Sequence, residues 1–220
     1  MKKITTLIFL ACYASYGSIR FLQSGSPIQL QGKSWLEMKN KNLTRQKEDF
    51  SCGSASLSTI LTYFYHIQTP EVRILSFLLH SKGAVNKKKK TNGLSFTDLS
   101  QYISYIKFKP IALAIDIYTL KKLKVPAILY LEIKNNKHFT VYKGSDQKYI
   151  YLADPSFGNI KISLKKFQEI FYNANGKNLH AGMILALLPQ SNKIKPDKTF
   201  MRPTKRYSST YTGLKLNLFR

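Results

Sequence analysis

Residues 45–64 read Arg45-Gln46-Lys47-Glu48-Asp49-Phe50-Ser51-Cys52-Gly53-Ser54-Ala55-Ser56-Leu57-Ser58-Thr59-Ile60-Leu61-Thr62-Tyr63-Phe64. A polar, partly acidic approach gives way at Ser51 to residues that recur every three or four positions. Cys52, Ala55, Thr59 and Tyr63 form one line; Leu57, Ile60, Leu61 and Phe64 form another. That spacing predicts a mostly buried helix running to about His66. Ser51 suits its N-cap, with Asp49 just before it. Cys52 then stands at a helix N-terminus, where unpaired N–H groups and the helix dipole favour negative charge, here a thiolate. Its own N–H is placed as one donor to an oxyanion. Gly53 would let a substrate backbone pass close to the helix start. On this stretch alone, a buried structural cysteine is the competing reading.

Upstream, Lys2 and Lys3 precede an apolar run from Ile4 to Ala14, and small residues follow at Ala14, Ser15, Gly17 and Ser18. This is the pattern of a secretory signal over residues 1–17. It is too short for a membrane span, and no other apolar stretch is long enough for one. Leu10-Ala11-Cys12 also suggests a lipid anchor at Cys12, although Phe9 sits where that motif usually has Leu. The expected location is therefore periplasmic or secreted. With Cys12 removed, Cys52 is the single remaining thiol, which in an exported protein marks reactivity or intermolecular pairing.

Residues 18–33 form a lead-in. Over 19–40, Gly25, Pro27 and Gly32 suggest extended chain with one short strand. Downstream of the first helix, Pro70 opens a second over Glu71–His80, and residues 81–93 form a loop carrying Lys87–Lys90. A third helix runs from about Ser95 to Lys107. Strands are expected at Ile111–Ile115, Ala127–Ile133, His138–Lys143, Lys148–Ala153, Asn159–Ser163 and Gly182–Leu188. Short helices fall at Tyr118–Leu123 and Leu164–Phe171. Helices first and strands later make an α+β domain over residues 34–189 with an antiparallel sheet. A basic tail, 190–220, is either disordered or laid over the surface.

The 220 residues carry 35 Lys plus Arg against 11 Asp plus Glu, a formal +24 that favours acidic partners. The charge is scattered, and no basic–aromatic interleaving suggests a nucleic-acid module, so no nucleic acid is expected. A polyanion-binding surface protein stands as a rival reading; its binding would weaken steeply with salt and ignore Cys52.

A thiolate needs a base brought close by the fold. His66 and His80 end helices, and His180 begins the last strand. His138 opens a strand after the polar pair Asn135-Asn136, a place from which an imidazole can be aimed. Asp154 ends the following strand, before Pro155, so a hairpin can bring it to His138 to hold the imidazole's tautomer. A plain strand-ending turn is the alternative for Asp154.

Taken together these pieces resemble the double-glycine peptidases, papain-like cysteine peptidases that remove leaders from bacteriocin precursors. Gln46 and Cys52-Gly53 match that family's Gln, five residues, Cys-Gly. His138-Phe139-Thr140-Val141 resembles its His-Phe-Val-Val strand, and Asp154-Pro155 with Gly158 its Asp-Pro-and-Gly turn. Gly93-Leu94-Ser95-Phe96-Thr97-Asp98-Leu99 is similar to the opening of the third helix in free-standing exported members. The resemblance spans residues 34–188. It implies a papain-like fold and peptide hydrolysis through a thioester, with Cys52 as nucleophile, His138 as base and then acid, Asp154 orienting His138, and the Gln46 amide as second oxyanion donor. It further implies an exported protein or peptide substrate cut after a Gly-Gly-like pair in a narrow cleft. No metal or organic cofactor is implied. Two departures are Ser51, where many members carry an acid, and Ser54, where Pro or Ala is usual. No transporter or ATPase motif accompanies the domain. A module that binds such a peptide without cutting it is a further alternative, set against the joint presence of Cys52, Gln46, His138 and Asp154.

Overall fold

The computed structural model describes residues 34–81, 93–133, 136–173 and 180–202. The signal, Cys12, the 18–33 lead-in, the Lys87–Lys90 run and residues 203–220 lie outside the described residues. Among the described residues, six α-helices precede or intersperse six strands. They are α1 (Trp35–Lys39), α2 (Cys52–Thr59), α3 (Glu71–Ser81), α4 (Phe96–Tyr105), β1 (Phe108–Ile115), α5 (Ile117–Lys122), β2 (Ala127–Ile133), β3 (Asn136–Ser145), β4 (Tyr149–Asp154), β5 (Gly158–Ser163), α6 (Leu164–Asn173) and β6 (Gly182–Pro189). The strands form one antiparallel sheet in the order β1-β6-β2-β3-β4-β5.

Both faces of this sheet are covered. Ile128, Val141, Ala153, Leu185 and Leu187 pack towards α2, α3 and α4. The alternating residues Ala127, Leu129, Leu131, Ile184 and Ala186 pack towards Leu120 of α5 and Phe167, Ile170 and Phe171 of α6. Successive strand residues point to opposite faces, so burial on both sides demands the near-continuous apolar runs seen at 127–131 and 184–187. α6 buries only one stripe, spaced by three and four residues, and leaves its lysines outside.

Several expectations are corrected. Within the expected extended lead-in, residues 35–39 are a short helix; Leu, Glu, Met and Lys all favour one. The expected helix to His66 is α-helical only through Thr59. It then widens into a π-helical turn, Ile60–Phe64, and closes at His66 with φ 57°. Every residue from Cys52 to Thr59 is buried. Three of the four hydroxyls there bond to carbonyls, Ser54 to Ser51 at 2.9 Å, Ser58 to Thr69 at 2.7 Å and Thr59 to Ala55 at 2.8 Å, while the buried Ser56 Oγ has no partner among the described residues. α4 begins after Ser95 because Ser95 and Asp98 form a capping box, with Asp98 N donating to Ser95 Oγ at 3.2 Å and Ser95 N to Asp98 Oδ2 at 2.7 Å.

The start of the basic tail packs into the fold. A 3₁₀ turn at Lys198–Met201 buries Phe200, whose ring centroid lies 6.0 Å from that of Phe64. The Nζ of the buried Lys143 sits 4.5 Å above the same ring. Asp197 N donates to Phe64 O at 2.7 Å, tying this turn to the end of the Cys52 helix. Phe200→Ala should therefore lower unfolding free energy by roughly 3–5 kcal/mol, read by urea denaturation. A loss below ~1 kcal/mol would mean that the turn contributes no core.

Candidate active site

Three elements meet at Cys52. It is the first residue of α2, in the turn where N–H groups have no intrahelical acceptor. β3 and β4 are antiparallel neighbours, which brings the start of β3 beside the end of β4. His138 near that start donates from Nε2 to Asp154 Oδ2 at 2.7 Å. A carboxylate only accepts, so the proton is on Nε2, and Nδ1 is the ring nitrogen left for the Cys52 side chain, whose interaction with the ring favours the charged imidazole. Burial opposes charge on this imidazole. The charge and hydrogen bond of Asp154, with the Cys52 side chain adding to them, outweigh that effect and raise the pKa from 6.5 to about 10. His138 is thus held as an imidazolium at neutral pH, the counter-ion a thiolate requires.

Asp154 is itself held on its other oxygen. Oδ1 accepts from Ser156 N at 2.9 Å and Phe157 N at 3.0 Å. An Asp bonding to N–H groups two and three residues on is an Asx-type turn. The turn closes on Gly158, whose φ of +86° suits glycine, and where an added Cβ would come within 2.9 Å of Lys39 O. The Phe157 ring lies 6.1 Å from the His138 ring and limits its swing.

Gln46 is bound to this same turn. Its N donates to Pro155 O at 3.2 Å, its Oε1 accepts from Ser156 Oγ at 2.7 Å, and its Nε2 donates to Glu48 O at 3.2 Å. Ser51 occupies the N-cap position, yet its side chain makes no capping bond. Its hydroxyl instead bonds to the Glu71 carboxylate, with Glu48 O a second acceptor at 2.9 Å. The buried Glu71 also accepts from Lys47 N at 3.3 Å, so α3 anchors the segment between Gln46 and Cys52.

The other histidines lie elsewhere. His80 Nδ1 bonds to Ser76 O at 2.8 Å, His66 neighbours Asp197, and His180 stands edge-on to Tyr172. Cys52 opens onto a cleft of about 940 Å³ lined by Phe50, Phe96, Tyr130, Phe139 and Met183. Phe139 lies 5.2 Å from the Phe96 ring and 5.4 Å from the Tyr130 ring. Gly53 has a different use from the one expected. It is buried, and a Cβ there would meet Phe139 Cδ2 at 3.2 Å and Leu94 and Leu99 at 3.4 Å. Its small size lets α2 pack against β3 and α4, rather than admitting substrate.

Reading the sequence did not single out Ser156, Phe157 or Glu71 as site residues. The Asp-Pro-Ser pattern did contain an Asx-turn signal for the first two. Glu71, at the first position of a helix, carried no local sign of its buried partners.

A model described as the peptidase C39 family matches residues 40–175. The probable functional amyloid protease FapD of Pseudomonas aeruginosa is 30% identical over 185 residues, covering 84% of this chain and 76% of the relative. A double glycine motif protease from an AMS/PCAT transporter, solved with its leader peptide, superposes with a TM-score of 0.51 at 23% identity, over 67% of this chain and 91% of that one. A C39-like peptidase from Bacillus anthracis gives 0.53 at 16%, over 70% and 98%. At these identities the two structures share the fold with this chain.

Proposed function

Because this chain belongs to the peptidase C39 family, and is a cysteine peptidase of papain-like fold, we propose that Cys52, His138, Asp154 and Gln46 cut a peptide bond in an exported protein substrate. What supports the reading is the His138 ring, bonded through Nε2 to Asp154 Oδ2 at 2.7 Å, with Nδ1 left for Cys52 at the start of α2.

Each step has an atom to perform it. Cys52, as the thiolate paired with the His138 imidazolium, attacks the peptide carbonyl carbon. The tetrahedral oxyanion takes the Cys52 N–H and the Gln46 Nε2–H. As the intermediate collapses the C–N bond breaks, and His138 gives its proton to the leaving amine. Water then loses a proton to His138 and attacks the thioester carbon. The acyl–sulfur bond breaks, the acid product leaves, and the thiolate and the His138 imidazolium are restored. Asp154 holds Nε2–H throughout and steadies the imidazolium.

The relatives support one reading of the substrate. The similarity to a probable functional amyloid protease favours a functional-amyloid protein as substrate, and the double-glycine likeness favours a cut after two small residues. Residues further from the cut would meet the aromatic wall of the cleft. Co-incubation with exported proteins, followed by N-terminal sequencing, is the test. New termini after Gly-Gly or Gly-Ala, absent with Cys52→Ala, are expected. Efficient cleavage after bulky residues would overturn the small-residue specificity, and no cleavage of any partner would favour the binding module.

A further inference from the structure

The turn that holds Asp154 also holds Gln46, and the residue that joins them is Ser156. Its N–H donates to Asp154 Oδ1 at 2.9 Å, while its hydroxyl donates to Gln46 Oε1 at 2.7 Å. One residue thus touches the imidazole's orienting group with its backbone and the oxyanion arm with its side chain.

A glutamine amide is nearly symmetric in shape, and either end can be turned towards a given place. A hydroxyl alone does not decide which, because it both donates and accepts. Glu48 O can only accept, so it selects Nε2, at 3.2 Å. Ser156 Oγ must then donate to Oε1. Gln46 N, anchored to Pro155 O at 3.2 Å, fixes the base of the side chain. With both ends engaged, one Nε2 hydrogen is used by Glu48 and the other has a fixed direction.

We infer that Ser156 is a positioning residue for the oxyanion arm: its hydroxyl locks the Gln46 amide so that Nε2 presents its free hydrogen to the developing oxyanion. This rests on the reading of Gln46 as oxyanion donor. Removing the hydroxyl leaves Oε1 to water and the amide free to turn about its last torsion. The Ser156 N–H survives that change, so Asp154 and His138 keep their partners. The Ser156 hydroxyl therefore acts on the Gln46 half of the catalytic apparatus, while only the backbone N–H serves the Asp154 half.

The test compares Ser156→Ala, Ser156→Thr, Gln46→Ala and the Ser156→Ala/Gln46→Ala double variant, with two readouts. The first is the side-chain amide NMR signal of Gln46 beside the imidazole signals of His138, which requires no substrate. The second is kcat and KM on a fluorogenic peptide ending in Leu-Gly-Gly-aminomethylcoumarin. In Ser156→Ala the Gln46 amide pair should shift or broaden while the His138 signals stay in place. Its kcat should fall about 10-fold with KM little changed, less than the roughly 100- to 1,000-fold loss from removing the donor itself in Gln46→Ala. The double variant should be no worse than Gln46→Ala, and Ser156→Thr should recover most of the rate. An unmoved Gln46 signal overturns the inference. So does a Ser156→Ala deficit that adds to that of Gln46→Ala, or one accompanied by displaced His138 signals. A Gln46→Ala variant with wild-type turnover instead sinks the reading of Gln46; the amide signal still reports separately whether Ser156 sets its orientation.

Discussion

Cys52→Ala is expected to abolish hydrolysis while leaving the fold in place. Removing the nucleophile removes the covalent route, and no neighbour replaces it. In a serine protease triad such a loss is about 10⁶-fold in kcat, so a fall on the order of 10⁵-fold or more is expected here. The change in structure should be small. Cys52 is 8% exposed and contributes one sulfur atom to a core that includes Leu57, Leu99 and Phe139. Thermal melting should move by only a few degrees, and the variant should still occupy the cleft with substrate. That combination separates catalysis from capture: a pure binding module would lose nothing. Retained processing by Cys52→Ala in a metal-free, repurified preparation would remove Cys52 from the mechanism.

The parts of this site legible in the sequence were those defined by local chemistry. Cys52 follows a break from polar to apolar periodicity, His138 opens a strand, and Asp154 ends the next one before a proline. The two strands form a hairpin, so strand order alone was enough to bring the last two together. The apolar runs of β2 and β6 were equally plain, because a strand buried on both faces has no polar side to disguise it. What escaped notice depended on partners distant in sequence. Ser51 has the chemistry of an N-cap, but the carboxylate of Glu71 competes for its hydroxyl and wins. Gly53 fits closely against Phe139, 86 positions later, and no local pattern carries that contact. The π-helical turn at Ile60–Phe64 preserves the apolar spacing closely enough to pass for an α-helix. Phe200 sits in a basic stretch whose composition suggests solvent, and it is buried by side chains distant in sequence, Phe64 and Lys143 among them. The helix at Trp35–Lys39 was legible from propensity and was outweighed by the neighbouring Gly and Pro.

Asp154→Asn should cost about 10⁴-fold in kcat, the size of effect seen when a triad aspartate becomes an amide, and should also change how stability depends on pH. The side chain is nearly isosteric, so packing is kept. The oxygen that remains can serve the Ser156 and Phe157 N–H groups, which leaves the amide NH₂ facing His138 Nε2. An NH₂ donates, so it selects the tautomer protonated on Nδ1. That nitrogen can no longer take the thiol proton. The stability effect follows from the raised pKa of His138, about 10 in the folded chain against 6.5 in the reference state. A group whose pKa rises on folding binds more protons folded than unfolded between those two values. Its contribution is fully present below pH 6.5 and is lost as pH climbs towards 10. In Asp154→Asn the carboxylate's charge and hydrogen bond are gone and burial now favours the neutral ring, so this window closes. Urea denaturation at several pH values between 6 and 10, with both chains carrying Cys52→Ala to remove thiol titration, gives the comparison; without Cys52's contribution the window closes below pH 10, while the part due to Asp154 remains. The aspartate chain should be the more stable at pH 6, and its advantage should shrink with rising pH by at most about 1.4 kcal/mol per unit. The many surface lysines titrate alike in both chains and cancel in the difference. Parallel curves across this range would mean that Asp154 does not hold His138 in its charged form, and the imidazolium would then need another source.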